Sequence, residues 1–316
     1  MTIKEQLANN IVGHWDFRTG SLVDQSGNGN YGTFISDATW GNSKRGRCIA
    51  MNGVLGSIDV AANSAIDNLF ATGGTYTTWV NSKGVGLGGF GRLADKSAGG
   101  GWTLYNQTLV SGKLRLVFNL DFSGTDGNWQ TTTEVLPINQ WSQVVVVYNA
   151  SSVTNDPKVY VNGNSVAITE TVPPVGSMTD DSGSTLRFGN LSNIRTFDGL
   201  IGGGIMFDTE LTPQQVSQLY NESSQEAHLN KIPTKTVLPE QTAEVGSPVL
   251  KLNMNKIGAT VYDVTNNGNN GDVDDGILDV EGLHGRALQF NGTGRIEIAD
   301  SASLDFGDEF LSLIHI

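Results

Sequence analysis

The chain has 316 residues, a net charge of −13 and a single cysteine, Cys48. Its acidity argues against binding nucleic acid or an anionic membrane surface, because phosphate repulsion would act over most of the molecule. One cysteine excludes an intrachain disulfide framework and reads as a buried thiol, and no apolar stretch approaches the ~20 residues of a membrane helix. The charge is uneven. Residues 1–230 carry 13 basic and 19 acidic groups, and residues 231–316 carry 6 and 13.

The first segment, MTIKEQLANNIVGHW, lacks the apolar core of a secretory signal. From Ile11 to about Ile205 short Val-, Ile-, Thr- and aromatic-rich runs alternate with turn clusters, the pattern of an all-β chain. Ser111-Gly112 separates WTLYNQTLV from KLRLVFNL, and Asn162-Gly163 lies inside VYVNGNSVAI, so both read as two-residue hairpin turns. Residues 141–148, WSQVVVVY, are too apolar for a strand with a wet face and are expected inside a sandwich. One helix is expected, with Thr212 as N-cap, Pro213 in the first position and Val216, Leu219 and Tyr220 as its apolar stripe. Residues 223–247 are polar, contain two prolines and read as a linker.

The chain then begins again. DQSGNGNYG (24–32) corresponds to DVTNNGNNG (263–271), and GRCIAMNG (46–53) to GRALQFNG (285–292), both at an offset of 239. One residue shorter, SIDVAANSAID (57–67) matches RIEIADSASLD (295–305). The spacing predicts a domain over 8–222 and the opening strands of a second copy over 248–310. The last six residues, LSLIHI (311–316), are what a sequencing-adapter end would encode, and are expected to be non-native.

The ordered pieces in residues 8–222 resemble the laminin G-like, concanavalin A-like lectin/glucanase domains. They are GHWDF (13–17), DQSGNGNYG, GRCIAMNG with SIDVAANSAID, YTTWV (76–80), Gln140-Trp141, YVNG (160–163), FDGLI (197–201) and LTP (211–213) before the helix. The resemblance implies a concanavalin-like jelly-roll β-sandwich of two antiparallel sheets, followed by a partial second copy. It also implies sugar binding, adhesion or, in laminarinase-type relatives, hydrolysis. Those hydrolases carry Glu-x-Asp-x-x-Glu on one strand, and here no Glu is followed two positions later by Asp or Glu.

Two site sets follow. An aromatic platform beside polar side chains is expected at Trp129, Asp126, Asn128, Trp102 and Tyr105, as the carbohydrate-binding residues, whereas Trp15, Trp79 and Trp141 are expected in the core. The glycine-rich loop offers Asp24, Asn28 and Asn30 as hard oxygen ligands for calcium, with Asp198 added because the family's ligand on its last strand is here Ile201-Gly202-Gly203. Gly84–Gly89 fits G-x-G-x-x-G without a following helix and reads as a loop. The histidines are too scattered for a zinc pattern. The functional expectation is a non-enzymatic glycan-binding or adhesion module, on a virion or at a cell surface, whose partner is a glycan or cell-surface ligand. A ligand-free structural sandwich and a glycoside hydrolase are the alternatives.

Overall fold

The computed structural model describes residues 2–191 and 194–229, and residues 250–305 apart from 251, 258, 264, 266, 275, 276, 283, 284 and 291. It divides into two compact units, Met1–Ile232 and Pro233–Ile316. In chain order the first contains α1 (Ile3–Gln6), β1 (Ile11–Asp16), β2 (Gly32–Ile35), β3 (Thr39–Ser43), β4 (Gly46–Asn52), β5 (Ser57–Val60) and β6 (Gly74–Ser82). It continues with β7 (Gly91–Asp95), β8 (Trp102–Val110), β9 (Lys113–Leu120), β10 (Gly127–Thr131), β11 (Leu136–Pro137) and β12 (Ser142–Tyr148). It ends with β13 (Lys158–Val161), β14 (Asn164–Val166), β15 (Ile168–Val172), β16 (Leu186–Phe188), β17 (Asp198–Phe207) and α2 (Pro213–Leu229).

Two antiparallel sheets result. Sheet A runs β14-β13-β12-β6-β17-β4-β3, with β1 pairing the second half of β17. Sheet B runs β15-β10-β9-β8-β7-β16-β5-β2, with β11 on the free end of β9. Both expected two-residue turns form. Val110 faces Lys113 across Ser111 (φ 49°) and Gly112 (φ 76°), and Val161 faces Asn164 across Asn162 (φ 51°) and Gly163 (φ 77°). Two positive φ values in succession give the twist that continues a right-handed hairpin.

The inner faces interdigitate around Trp15, Phe17, Tyr76, Trp102, Phe118, Trp129, Tyr148 and Phe188. A second core lies on the other side of sheet A. There α2 sets Val216 and Leu219 against Val145, Val147, Ile205 and Phe207, and Ile3 and Leu7 of the amino-terminal segment join them. This explains the uniformly apolar β12. Val144, Val146 and Tyr148 enter the sandwich, while Val145 and Val147 lie under the helix. Its expected lack of a wet face therefore has two causes, the facing sheet and the helix.

Helix α2 starts as expected. Thr212 Oγ1 accepts from Gln215 N at 3.3 Å and Gln215 Oε1 accepts from Thr212 N at 2.8 Å, a reciprocal cap. The helix continues to Leu229, beyond the expected boundary at 222.

The second unit has a four-stranded antiparallel sheet of β18 (Leu252–Ile257), β19 (Thr260–Asp263), β20 (Gly271–Val273) and β23 (Ile296–Ile298). It also has a hairpin of β21 (Leu278–Gly282) and β22 (Gly285–Gln289). Val261, Val273 and Ile277 form its small core. The linker from residue 230 to 247 and the tail 311–316 lie outside the described residues.

Candidate carbohydrate-binding face

Pleating decides which expected residues can meet a ligand. Successive side chains on a strand point to opposite faces. On β8, Trp102 and Leu104 enter the core, so Thr103 and Tyr105 face outward. On β9, Leu116, Phe118 and Leu120 enter, so Arg115, Val117 and Asn119 face outward. On β10, Trp129 enters, leaving Asn128 and Gln130 outside.

The expected five residues are therefore divided. Trp129 is 1% exposed, stacked on Phe118 at 5.2 to 6.2 Å from its aromatic neighbours Tyr148 and Phe118, and its Nε1 donates to Asp156 Oδ1 at 2.7 Å. Trp102 is fully buried between Phe70 and Tyr76. Neither indole offers a ligand platform, which corrects the expectation for both. Tyr105 and Asn128 lie on the outer face of sheet B, and Asp126 sits in the β9–β10 turn at its rim, where its Oδ1 accepts from Phe122 N at 3.0 Å.

The antiparallel registers align the outward side chains into rows across the strands. One row reads Asn128, Asn119, Thr103, Asp95, Arg187, Asp59 and Thr33. The adjacent row reads Gln130, Val117, Tyr105 and Arg92. Within them Asn128 Nδ2 donates to Asn119 Oδ1 at 2.7 Å, Arg187 Nε to Asp59 Oδ2 at 3.3 Å, and Arg92 Nε lies 3.0 Å from Asp95 Oδ2. Asp95 Oδ1 accepts from the N–H and hydroxyl of Ser97. The Arg92 guanidinium stacks 4.4 Å above the Tyr105 ring, Phe90 meets that ring edge-on, and Arg195 covers Phe90 at 4.4 Å.

Much of this face is sunk below the surface, with Asp95 0%, Val117 1%, Thr103 4% and Tyr105 8% exposed, and several of its polar atoms are buried without a protein partner. Thr103 Oγ1, Arg92 Nη1, Arg187 Nη1 and Arg115 Nε have no protein partner. Burial raises the Asp95 carboxyl above its ordinary value, against the Ser97 bonds and the charge of Arg92. Asp121, at the end of β9, is pushed up to about 6 by burial and by the neighbouring Asp126 carboxylate. The half-buried amides of Asn119, Asn128 and Gln130 are polar groups of this face that reach solvent, with the Tyr105 ring beneath the Arg92 guanidinium.

The calcium set does not assemble. Asp24 accepts five bonds, from His14 N, Ser26 N, Ser26 Oγ, Asn30 N and Asn30 Nδ2, all between 2.7 and 3.0 Å. Asn28 Nδ2 and Asn30 Nδ2 both donate to Val12 O. A carboxylate ringed by N–H and O–H donors is already satisfied, and a cation would have to displace positively polarised hydrogens. Asp24 bridges Trp15, which pairs with Gly204, and Asp198 is six residues from Gly204 along β17. That separation is about 20 Å. Among the described residues no three or more His, Cys, Asp or Glu side chains converge to hold a metal ion. In the second unit Asp263 repeats the pattern, accepting from Thr265 N, Thr265 Oγ1 and Asn269 N.

Two further residues depart from expectation. Trp79 and Trp141, expected in the core, are half-buried on the outer side of sheet A, whereas Trp15 is in the core as expected. Trp79 stacks on Tyr220 of α2 at 5.8 Å and carries the Arg45 guanidinium 3.5 Å from its ring centroid.

Comparison with known proteins agrees with this architecture. The binding domain of Paraclostridial Mosquitocidal Protein 1 is 19% identical, with a TM-score of 0.55, covering 69% of this chain and 53% of that one. The binding domain of botulinum neurotoxin DC, solved in complex with SialylT, is 16% identical at a TM-score of 0.54, covering 69% and 52%. That of botulinum neurotoxin serotype G is 18% identical at 0.51, covering 68% and 51%. The chain thus spans about half the length of these neurotoxin-type binding domains, and the likeness is one of fold. No curated protein sequence matches the chain. A model of the concanavalin A-like lectin/glucanases superfamily matches residues 56–217, from β5 through the first turn of α2, and the chain belongs to that superfamily.

Proposed function

We propose that the first unit is a non-catalytic glycan-binding module whose ligand lies across the outer face of sheet B. The observation that carries this reading is the pair of rows through Thr103 and Tyr105, in which the half-buried charged and amide side chains of Arg92, Arg187, Asn119, Asn128 and Gln130 are gathered around an aromatic ring. Carbohydrates are recognised by that combination of planar polar groups and aromatic surface. The SialylT complex of a protein with this fold supports the same ligand class.

Binding is favoured over hydrolysis by the carboxylates of the face. Asp95 and Asp59 flank Arg187 two strands apart, about 10 Å. Asp95 is paired with Arg92 and Asp59 with Arg187. A spacing of about 10 Å is far beyond the roughly 5–5.5 Å of a retaining pair and just past the roughly 6.5–9.5 Å of an inverting one, and carboxylates each held by an arginine are poor proton donors. On this reading the module works outside the cell or on a virion, and the Asp24 and Asp263 loops, built alike, support two copies in one chain. Linked copies raise avidity for weak ligands without new contacts.

A glycan array probed with the full chain tests the reading. Tyr105→Ala and Asn128→Ala should each weaken the best ligand at least tenfold, on the order of 1.4 kcal/mol. Trp129→Phe, confined to the core, should retain it, and chelation of calcium should leave it unchanged. No binding to any glycan would favour a ligand-free structural sandwich.

A further inference from the structure

One corner of the sandwich gathers groups that the outer face of sheet B does not use. Strand β15 is the edge of sheet B, and its Glu170 pairs in register with Trp129 of β10. Paired residues project to the same side of a sheet, so Glu170 follows Trp129 and Ile168, which pack on the core, toward the gap between the sheets. Across that gap β12 of sheet A ends at Tyr148, whose ring centroid lies 5.2 Å from that of Trp129. The loop after β12 brings Asp156 to the indole, and Trp129 Nε1 donates to Asp156 Oδ1 at 2.7 Å.

Tyr148 is 1% exposed, yet its hydroxyl has no hydrogen-bond partner. Burial, with the charges of Asp156 and Glu170 added, raises its pKa and keeps it protonated. The two carboxylates are exposed. Among the described residues neither forms an ion pair, and Lys158, two residues from Asp156, lies 3.7 Å from Glu210 instead.

The corner therefore offers three kinds of acceptor to which no described residue donates: the second oxygen of Asp156, the Glu170 carboxylate and the phenol oxygen. A sugar hydroxyl has one hydrogen to give and no charge to set against two carboxylates. A primary ammonium has three hydrogens and a positive charge, and charge-assisted bonds are the stronger ones.

We infer that this corner binds the ammonium group of an amino sugar, with Asp156, Glu170 and the Tyr148 oxygen accepting from it and the Trp129 indole holding Asp156 in place. The inference rests on the reading of this unit as a glycan-binding module and adds a subsite of defined charge to it. The test is an NMR titration of the full chain at about pH 6, where an amine is protonated. It reads the Trp129 indole N–H with glucosamine, N-acetylglucosamine and methylamine as separate probes. Saturable shifts with glucosamine and none with N-acetylglucosamine are expected. Glu170→Gln, on an exposed edge strand, and Asp156→Asn, which keeps an acceptor for the indole, should each weaken glucosamine at least tenfold with the fold intact by circular dichroism. Because Tyr105 and Asn128 lie on the outer side of sheet B, their array variants report on the other site, and the two readings fail separately. Equal response to N-acetylglucosamine, full affinity in both variants, or no saturable shift would overturn the proposal. A response to methylamine without one to glucosamine would overturn the sugar assignment and leave a bare ammonium site.

Discussion

The fate of single residues here depends on strand parity and on who donates to whom. Asp24 is the clearest case. Its carboxylate satisfies His14, Ser26 and Asn30 at once, and it fastens the glycine-rich loop to β1. Asp24→Ala would orphan those donors and should cost on the order of 3 kcal/mol in urea unfolding. Burial opposes ionisation of this carboxyl, but the Ser26 and His14 donors outweigh it and hold it below the ordinary carboxylate value. The native state thus binds the proton more weakly than the unfolded chain. The stabilisation is complete above about pH 4 and is lost as pH falls through the native carboxyl's range. Asp24→Asn should therefore flatten the acid limb of stability against pH, and an unaltered limb would refute the assignment. The sequence revealed that this loop needed hard oxygens and glycine, but the bonding partners of Asp24 depend on where β1 passes. Parity was more legible. Asn128 and Trp129 are adjacent on one strand, and Trp102 and Tyr105 are three apart, so neither pair could share a face.

At the scale of elements, turns and caps were readable because they depend on local chemistry. Ser111-Gly112, Asn162-Gly163 and the Thr212 cap all form where their residues indicate. The layer on which an apolar side chain lands depends on distant segments, and there the sequence was ambiguous. Residues 141–148 and YTTWV (76–80) signal burial without saying whether a sheet or a helix supplies it. Strand β12 resolves this, with Val144 against sheet B and Val145 against α2. Trp79 follows from the same arrangement, because its strand faces Tyr220 and Arg45 on the helix side. A measurable consequence is that parity should not matter on β12. Val144→Thr and Val145→Thr each bury a hydroxyl in an apolar layer, and each should cost about 1–3 kcal/mol in chemical denaturation. A sandwich with a solvated outer face would lose stability only at Val144. A near-neutral Val145→Thr would thus contradict the helix-covered layer.

For the whole first unit, the order of layers is helix, sheet A, core, sheet B and polar face, and the helical layer decides where the folding unit ends. The family pattern places the domain at 8–222, because its recognisable pieces begin at GHWDF and finish with the helix start. The compact unit is wider, Met1–Ile232. Ile3 is 1% exposed and Leu7 9%, both within the second core, and Glu222 accepts from Ile3 N at 2.9 Å through both carboxylate oxygens. Ser223, one residue past the expected boundary, is bonded by Trp79 Nε1 and Gln143 Nε2, and Arg45 Nη2 donates to its carbonyl. A fragment of residues 8–222 would lose the amino-terminal cover, strip the anchor of the Trp79 cluster and expose Val145 and Ile205. Burial of an aliphatic side chain such as Ile3 contributes roughly 1.5–3 kcal/mol. With the three Ser223 bonds added, at about 1 kcal/mol each, the shorter fragment should be less stable than residues 1–232 by about 4–6 kcal/mol. The longer fragment should unfold in one cooperative step. Urea titrations of the two fragments side by side give the comparison. Equal midpoints would mean that the amino-terminal segment and the end of α2 do not stabilise the sandwich, and the second core would have to be redrawn without them.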